Sequence, residues 1–185
     1  LLLASLDFSV PGITFVGVGP GDPSLMTMAA VQAIQASTVV AFPVSIKGGK
    51  SIAFGIASSW VKKNQKLLPL EMPMTLDSSV LQKAWKCASE QLVKGVSQGE
   101  KIVVLCEGDV SLFSTSSYLL LMLRRDYPSC FFQLVPGITS ISAAAAKGAW
   151  PLCLQNDQLL IIPTPNDPDK LKLLCEEASR IGRVL

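Results

Sequence analysis

Apolar residues in this chain follow two alternating patterns. Short unbroken apolar runs occur at residues 13–18, 37–43, 66–70, 101–106, 131–135 and 158–163, each closed by glycine, proline or a polar turn. Runs of this kind read as strands covered on both faces. Between them the apolar positions step by three or four, as on one side of a helix. From residue 22 to about residue 35 they are Leu25, Met28, Val31 and Ile34. From about residue 78 they are Leu81, Trp85, Ala88, Leu92 and Val96, with Lys83, Lys86, Glu90 and Lys94 on the other side. Further helices are expected at residues 52–62, 114–125, 142–149 and 168–180.

The polar punctuation supports these elements. Asp22 is placed to cap the first helix, with Pro23 at its first position, and Ser78 or Ser79 to cap the long one. Gly99 ends the long helix and Pro43 stops the second strand. Short strands alternating with helices predict an α/β fold with a largely parallel sheet. The closing "RVL" reads as the opening of a further strand, so the C-terminal part is expected to be incomplete.

Composition narrows the class. Of 185 residues, 49% are hydrophobic and 16% charged, as in a core-rich globular chain. A net charge of +2 gives no electrostatic case for nucleic-acid binding. No apolar run reaches the roughly 18 residues of a membrane span, and "YLLLML" is followed at once by Arg124-Arg125. Five widely spaced cysteines without a C-x-x-C pair point to reduced thiols and a cytoplasmic protein. There is no histidine, so imidazole triads and ordinary histidine-containing metal sites are excluded, and no metal is expected.

The candidate chemistry lies in three loops. In "FVGVGPGDPSLMT", counting from Gly17 puts Asp22 where a dinucleotide loop needs its third glycine, and no complete G-x-x-x-x-G-K-[ST] pattern is present. Both phosphate-loop readings therefore fail. "VVLCEGDVSLFSTSSY" puts Glu107-Gly108-Asp109 at the carboxyl end of a buried strand, the edge where open α/β sheets bind ligands. Asp109 is either an acceptor for a ligand or a helix cap. "VPGITS" follows another strand and carries Thr139 and Ser140. Three such turns on one sheet edge are more specific than any one of them.

In this order and spacing the loops resemble the tetrapyrrole methylase family. The family's G-x-G-P-G-D-P-x-L-L-T runs here from Gly17 to Thr27, with Met26 for one leucine. Its A-D-V-V strand falls at Ser37 to Ala41, its G-D at Gly108-Asp109 and its V-P-G-I-T-S at Val135 to Ser140. Val110 departs from the proline usual after G-D. Pro43, the hydroxyl-rich "SLFSTSSYLLLML" and the alanine-rich "ISAAAAKGAWPL" are most similar to the branch that methylates C20 of precorrin-2.

The resemblance implies two α/β domains with a cofactor cleft between them, here residues 12–139 and an incomplete 140–185. It implies S-adenosylmethionine as methyl donor, precorrin-2 or cobalt-precorrin-2 as acceptor, and a homodimer. Pro20, Glu107, Gly108, Asp109, Leu112, Thr139 and Ser140 would line the cofactor. Gly19, Gly21 and Asp22 would face the macrocycle. Lys47 and Lys50, following the second strand, are candidates for the macrocycle carboxylates, or are ordinary surface lysines. Ser114 either bonds a ligand or caps a helix. A methylase with another acceptor carbon and a non-catalytic fragment of the same fold stay open as alternatives.

Overall fold

The computed structural model describes residues 6–45 and 48–181. The chain divides into two compact units, Leu1–Ser140 and Ile141–Leu185. The first is built on five strands: β1 (Gly12–Gly17), β2 (Val39–Val44), β3 (Lys66–Glu71), β4 (Lys101–Cys106) and β5 (Phe132–Val135). They form one sheet in the order β3-β2-β4-β1-β5. Every pair is parallel; β1 runs beside β4 from Gly12↔Lys101 to Gly17↔Cys106.

Period-two alternation sends successive side chains to opposite faces, and both faces are covered. Ile13 and Phe15 of β1 join Ile102 and Val104 of β4 in a core that also holds Leu92 and Leu123. Leu92 belongs to α3 (Ser78–Ser97) and Leu123 to α4 (Thr115–Asp126). Val16, Val103 and Leu105 point the other way, into a core with Ile34 of α1 (Met28–Ala36) and Ile56 of α2 (Ile52–Ala57). Each fully buried side chain of this size stabilises the fold by about 1.5–3 kcal/mol.

Several local readings change. Asp22 caps only a short 3-10 turn, Pro23–Leu25, through Ser24 N–H at 2.8 Å. The helix proper starts five residues later than expected, at Met28 instead of Pro23, with Thr27 Oγ1 accepting from Ala30 N–H. Met28 is therefore a first-turn residue and 78% exposed, while Ala30, Ala33 and Ile34 form the buried side. α3 is capped by Asp77, whose Oδ1 accepts from Ser79 N–H and Val80 N–H, rather than by Ser78 or Ser79. The Leu81–Val96 stripe does face inward, with Ala88 and Leu92 fully buried.

Pro43 does not stop β2, which continues to Val44. The Val44 carbonyl accepts from Met72 N–H, so by alternation Pro43 faces the β4 side, where pairing ends at Ala41. A residue without an N–H costs nothing there.

The second unit carries α5 (Ser140–Lys147) and α6 (Pro168–Ile181). Residues 158–163, expected as a strand, have no regular structure, because they have no hydrogen-bonded neighbour strand among the described residues. A strand is defined by its partner, and an apolar run alone does not supply one.

Candidate functional site

The topology itself marks one crevice. From β1 the chain passes over β4 to reach β2; from β4 it passes over β1 to reach β5. Neighbouring strands β1 and β4 thus send their connections in opposite directions. That is the switch point of an open parallel sheet, where a crevice opens beyond the carboxyl ends. The loops after β1 and β4 flank it, and the loop after β5 joins them.

The three backbones are packed against one another. Gly19 and Gly108, with φ of 82° and 68°, form an antiparallel bridge: Gly108 N–H donates to the Gly19 carbonyl at 2.8 Å, and Gly19 N–H to the Gly108 carbonyl at 3.2 Å. A Cβ on Gly17 would sit 2.6 Å from the Gly137 nitrogen and 2.7 Å from the Gly108 oxygen. A Cβ on Gly137 would overlap the same Gly108 oxygen. These two glycines serve the approach of one loop to another, not of a loop to a ligand. Gly21 and Gly108 differ: no atom lies within 4 Å of where their Cβ would be, so their backbones border open space.

Asp109 fastens the junction. It is buried, and its Oδ2 accepts from Gly137 N–H at 2.8 Å, tying the third loop to the second. Its Oδ1 accepts from Ser111 N–H at 2.8 Å and Ser111 Oγ at 2.5 Å. Desolvation is the largest influence on this carboxyl and raises its pKa. The hydrogen bonds from Ser111, Gly137 and Val110 together outweigh it and hold the pKa below the usual aspartate value. Next to it, burial pushes the Cys106 thiol up, partly offset by hydrogen bonds to Ser114 and Ser116, with further elevation from Asp109 and Glu107. Cys106 is therefore an inert buried thiol.

The expected residues fall into three groups. Gly19, Pro20, Gly21, Glu107, Gly108, Asp109 and Leu112 sit on the two loops that flank the switch point, with Glu107 exposed and Pro20 and Leu112 half-buried. Lys50 is exposed in the loop between β2 and α2, on the same sheet edge. Thr139, half-buried, follows β5, and Ser140 opens α5. Lys47 lies outside the described residues. Two side chains already have local tasks. Asp22, exposed, has its pKa lowered by the backbone and then the side chain of Ser24, which it caps. Ser114 is the N-cap of α4, accepting from Ser116 N–H at 3.1 Å, and also contacts Cys106 Sγ. Val110, in the place of the usual proline, is buried in the α3–α4 core.

A cavity of about 360 Å³ lies at the opposite, amino-terminal edge, lined by Val39, Lys66, Lys94 and Glu100 among others. It shares no residue with the three loops. Among the described residues no cluster of histidine, cysteine or carboxylates is suited to a metal ion, and no helix is long and apolar enough to cross a membrane.

The family model for tetrapyrrole (corrin/porphyrin) methylases matches residues 12–183. The chain belongs to the tetrapyrrole methylase family. It is 36% identical over 155 residues to a probable cobalt-precorrin-2 C(20)-methyltransferase of Methanocaldococcus jannaschii, covering 84% of this chain and 65% of that one. A cobalt-precorrin-4 C(11)-methyltransferase of the same archaeon is 28% identical over 166 residues, covering 87% and 57%. The X-ray structure of a cobalt precorrin-4 methyltransferase shares the fold, with a TM-score of 0.62 at 22% identity, over 85% of this chain and 59% of that one. The chain thus spans less than two thirds of each of these relatives.

Within this member of the family, sequence reasoning missed the partner of Asp109. The signal was present as Gly137, whose lack of a side chain admits the Gly108 carbonyl, but spacing could not show which loop it meets. It also missed Phe113, which holds a φ of 49° without being glycine, asparagine or aspartate. No feature of the local sequence foretells that.

Proposed function

We propose that this chain carries the switch-point part of an S-adenosylmethionine-dependent C-methyltransferase of cobalamin biosynthesis, acting at the C20 meso carbon of precorrin-2 or cobalt-precorrin-2. The observation that carries the reading is the convergence of the Gly19–Gly108 bridge and the Asp109–Gly137 bond at one switch point. The greater identity to the C20 relative, 36% against 28% for the C11 relative, supports the acceptor position. A tetrapyrrole methylase acting at C11 is the second reading, and that C11 relative is what favours it.

The residues present fit such a donor. The open backbone at Gly21 and Gly108 leaves room at the loop surface, and the exposed Glu107 offers a negative charge to a cationic ligand. S-adenosylmethionine, when bound, supplies a methyl group already activated on a positively charged sulfur. The work left for the chain is orientation, which can supply much of a rate. Pro20, Glu107, Gly108, Asp109, Leu112, Thr139 and Ser140 would hold the donor, and Gly19, Gly21 and Asp22 would border the macrocycle. Asp109 keeps the second and third loops in register, so a preformed set of backbone dipoles would be available to the sulfonium. Lys50 and Lys47 would meet substrate carboxylates, and Ser114 would act through α4 rather than by direct contact. A homodimer in the cytoplasm completes the proposal.

The test is mass spectrometry after anaerobic incubation with precorrin-2 and methyl-labelled donor. A gain of one labelled methyl, placed at C20 by NMR, is expected. A label at C11 of a precorrin-4 substrate favours the second reading, and an unchanged macrocycle mass with both substrates overturns the proposal.

A further inference from the structure

Phe113 is held in a conformation that the fold does not reward. Its φ is 49°, in the left-handed region that penalises bulky residues. Among the described residues the other non-glycine ones with positive φ are Ala149 and Gln155, one small and one polar, each in a turn. Phe113 is the large one, and its ring is left mostly outside the packed interior. It is 64% exposed. It belongs to neither hydrophobic core and, among the described residues, to none of the ring contacts, which join Phe42 to Phe54, Trp85 to Tyr118 and Arg124 to Phe132. A glycine would adopt this backbone without strain and would leave no apolar ring in water. Strain of this kind persists where a function uses it.

Its position names the function. Phe113 lies on the β4–α4 loop, four residues after Asp109 and one before the α4 cap Ser114. The burial of Ser114 and the Asp109 clasp anchor both sides of it. An aromatic ring on a fixed support, on a loop that flanks the switch point, can serve as a stacking platform for a flat conjugated ligand. Resting on the function proposed above, we infer that Phe113 is a substrate-contact residue that stacks on a face of the tetrapyrrole. A ring left largely in solvent suits a broad macrocycle that extends beyond the crevice. It suits less well a small donor gripped by backbone.

The test compares the full chain with F113G and F113Y in three measurements: thermal melting, calorimetric titration of S-adenosylmethionine, and anaerobic titration of precorrin-2. F113G is expected to melt at the same or a higher temperature and to bind S-adenosylmethionine within twofold of the parent. It should bind precorrin-2 about tenfold more weakly, in keeping with a lost stacking contact. F113Y should retain precorrin-2 affinity. The inference is overturned if F113G binds precorrin-2 as tightly as the parent. It is equally overturned if F113G loses affinity for both ligands by the same factor, or melts several degrees lower. Parent protein that binds neither ligand defeats the proposed function itself. Parent that binds both, with F113G unchanged, defeats only the role of Phe113.

Discussion

Replacing Asp109 isolates the bond that ties the second loop to the third. In D109A the carboxylate's hydrogen bonds disappear, among them one from Gly137 N–H and two from Ser111. Bonds to a charged group contribute about 1.5–3 kcal/mol each when sheltered from water. Ser111 is exposed, so its donors return to solvent at small cost. Gly137 is half-buried between Gly17 and Gly108, so its N–H is left poorly solvated. The expected loss is about 2–4 kcal/mol at pH 7. D109N should lose less, because its amide keeps one acceptor but turns a donor toward Gly137 or Ser111. Urea unfolding, read by linear extrapolation, measures both. The pH dependence gives a second check. The folded-state pKa of Asp109 is depressed below its unfolded value, so its contribution is complete above the unfolded pKa of about 3.9. It is lost as pH falls from there through the folded value. The stability gap between the parent and D109N should therefore be constant near neutrality and shrink below about pH 4. A loss under about 0.5 kcal/mol for D109A, within the range of an ordinary surface change, or a gap that widens toward low pH, would refute the clasp.

Other outcomes follow from the same geometry. Ser89 Oγ is fully buried in α3 without a hydrogen-bond partner among the described residues, so S89A should be neutral or stabilise by up to about 1 kcal/mol in urea unfolding. G137A drives a methyl into the Gly108 carbonyl and should destabilise by more than about 3 kcal/mol, or fail to accumulate as soluble protein. Q65A removes a buried amide that donates to the Ile34 and Ser37 carbonyls and accepts from Lys62 N–H. A loss of about 2–3 kcal/mol is expected, visible as a lower melting temperature.

The sheet was legible because both its faces are covered. Runs such as "ITFV" and "IVVL" carry no regular polar alternation to confuse them, and the α3 stripe repeats at five positions from Leu81 to Val96. The helix starts were less legible. Asp22-Pro23 is as good a start for a 3-10 turn as for an α-helix, and only the packing of Ala30 and Ala33 moves the true start to Met28. The run at 158–163 misled because burial pattern says nothing about whether a neighbour strand exists. Within the site, the three loops were found from their glycines, but the sequence does not say which glycine packs against which neighbour. Gly17 and Gly137 meet each other's backbones, while Gly21 and Gly108 border open space. Which glycine does which is a tertiary fact. Asp109 shows the same limit: either local role suited its position, and the structure gives it bonds to Ser111 and across the sheet edge to Gly137.

The central claim is that the carboxyl edge between β1 and β4 receives the methyl donor. Titrating S-adenosylmethionine into ¹⁵N-labelled protein and following backbone amide shifts tests it most directly. The account predicts shifts concentrated at residues 17–22, 107–114 and 137–140. Shifts centred on Lys66, Lys94 and Glu100 around the amino-terminal cavity, or no shifts at saturating ligand, would contradict it.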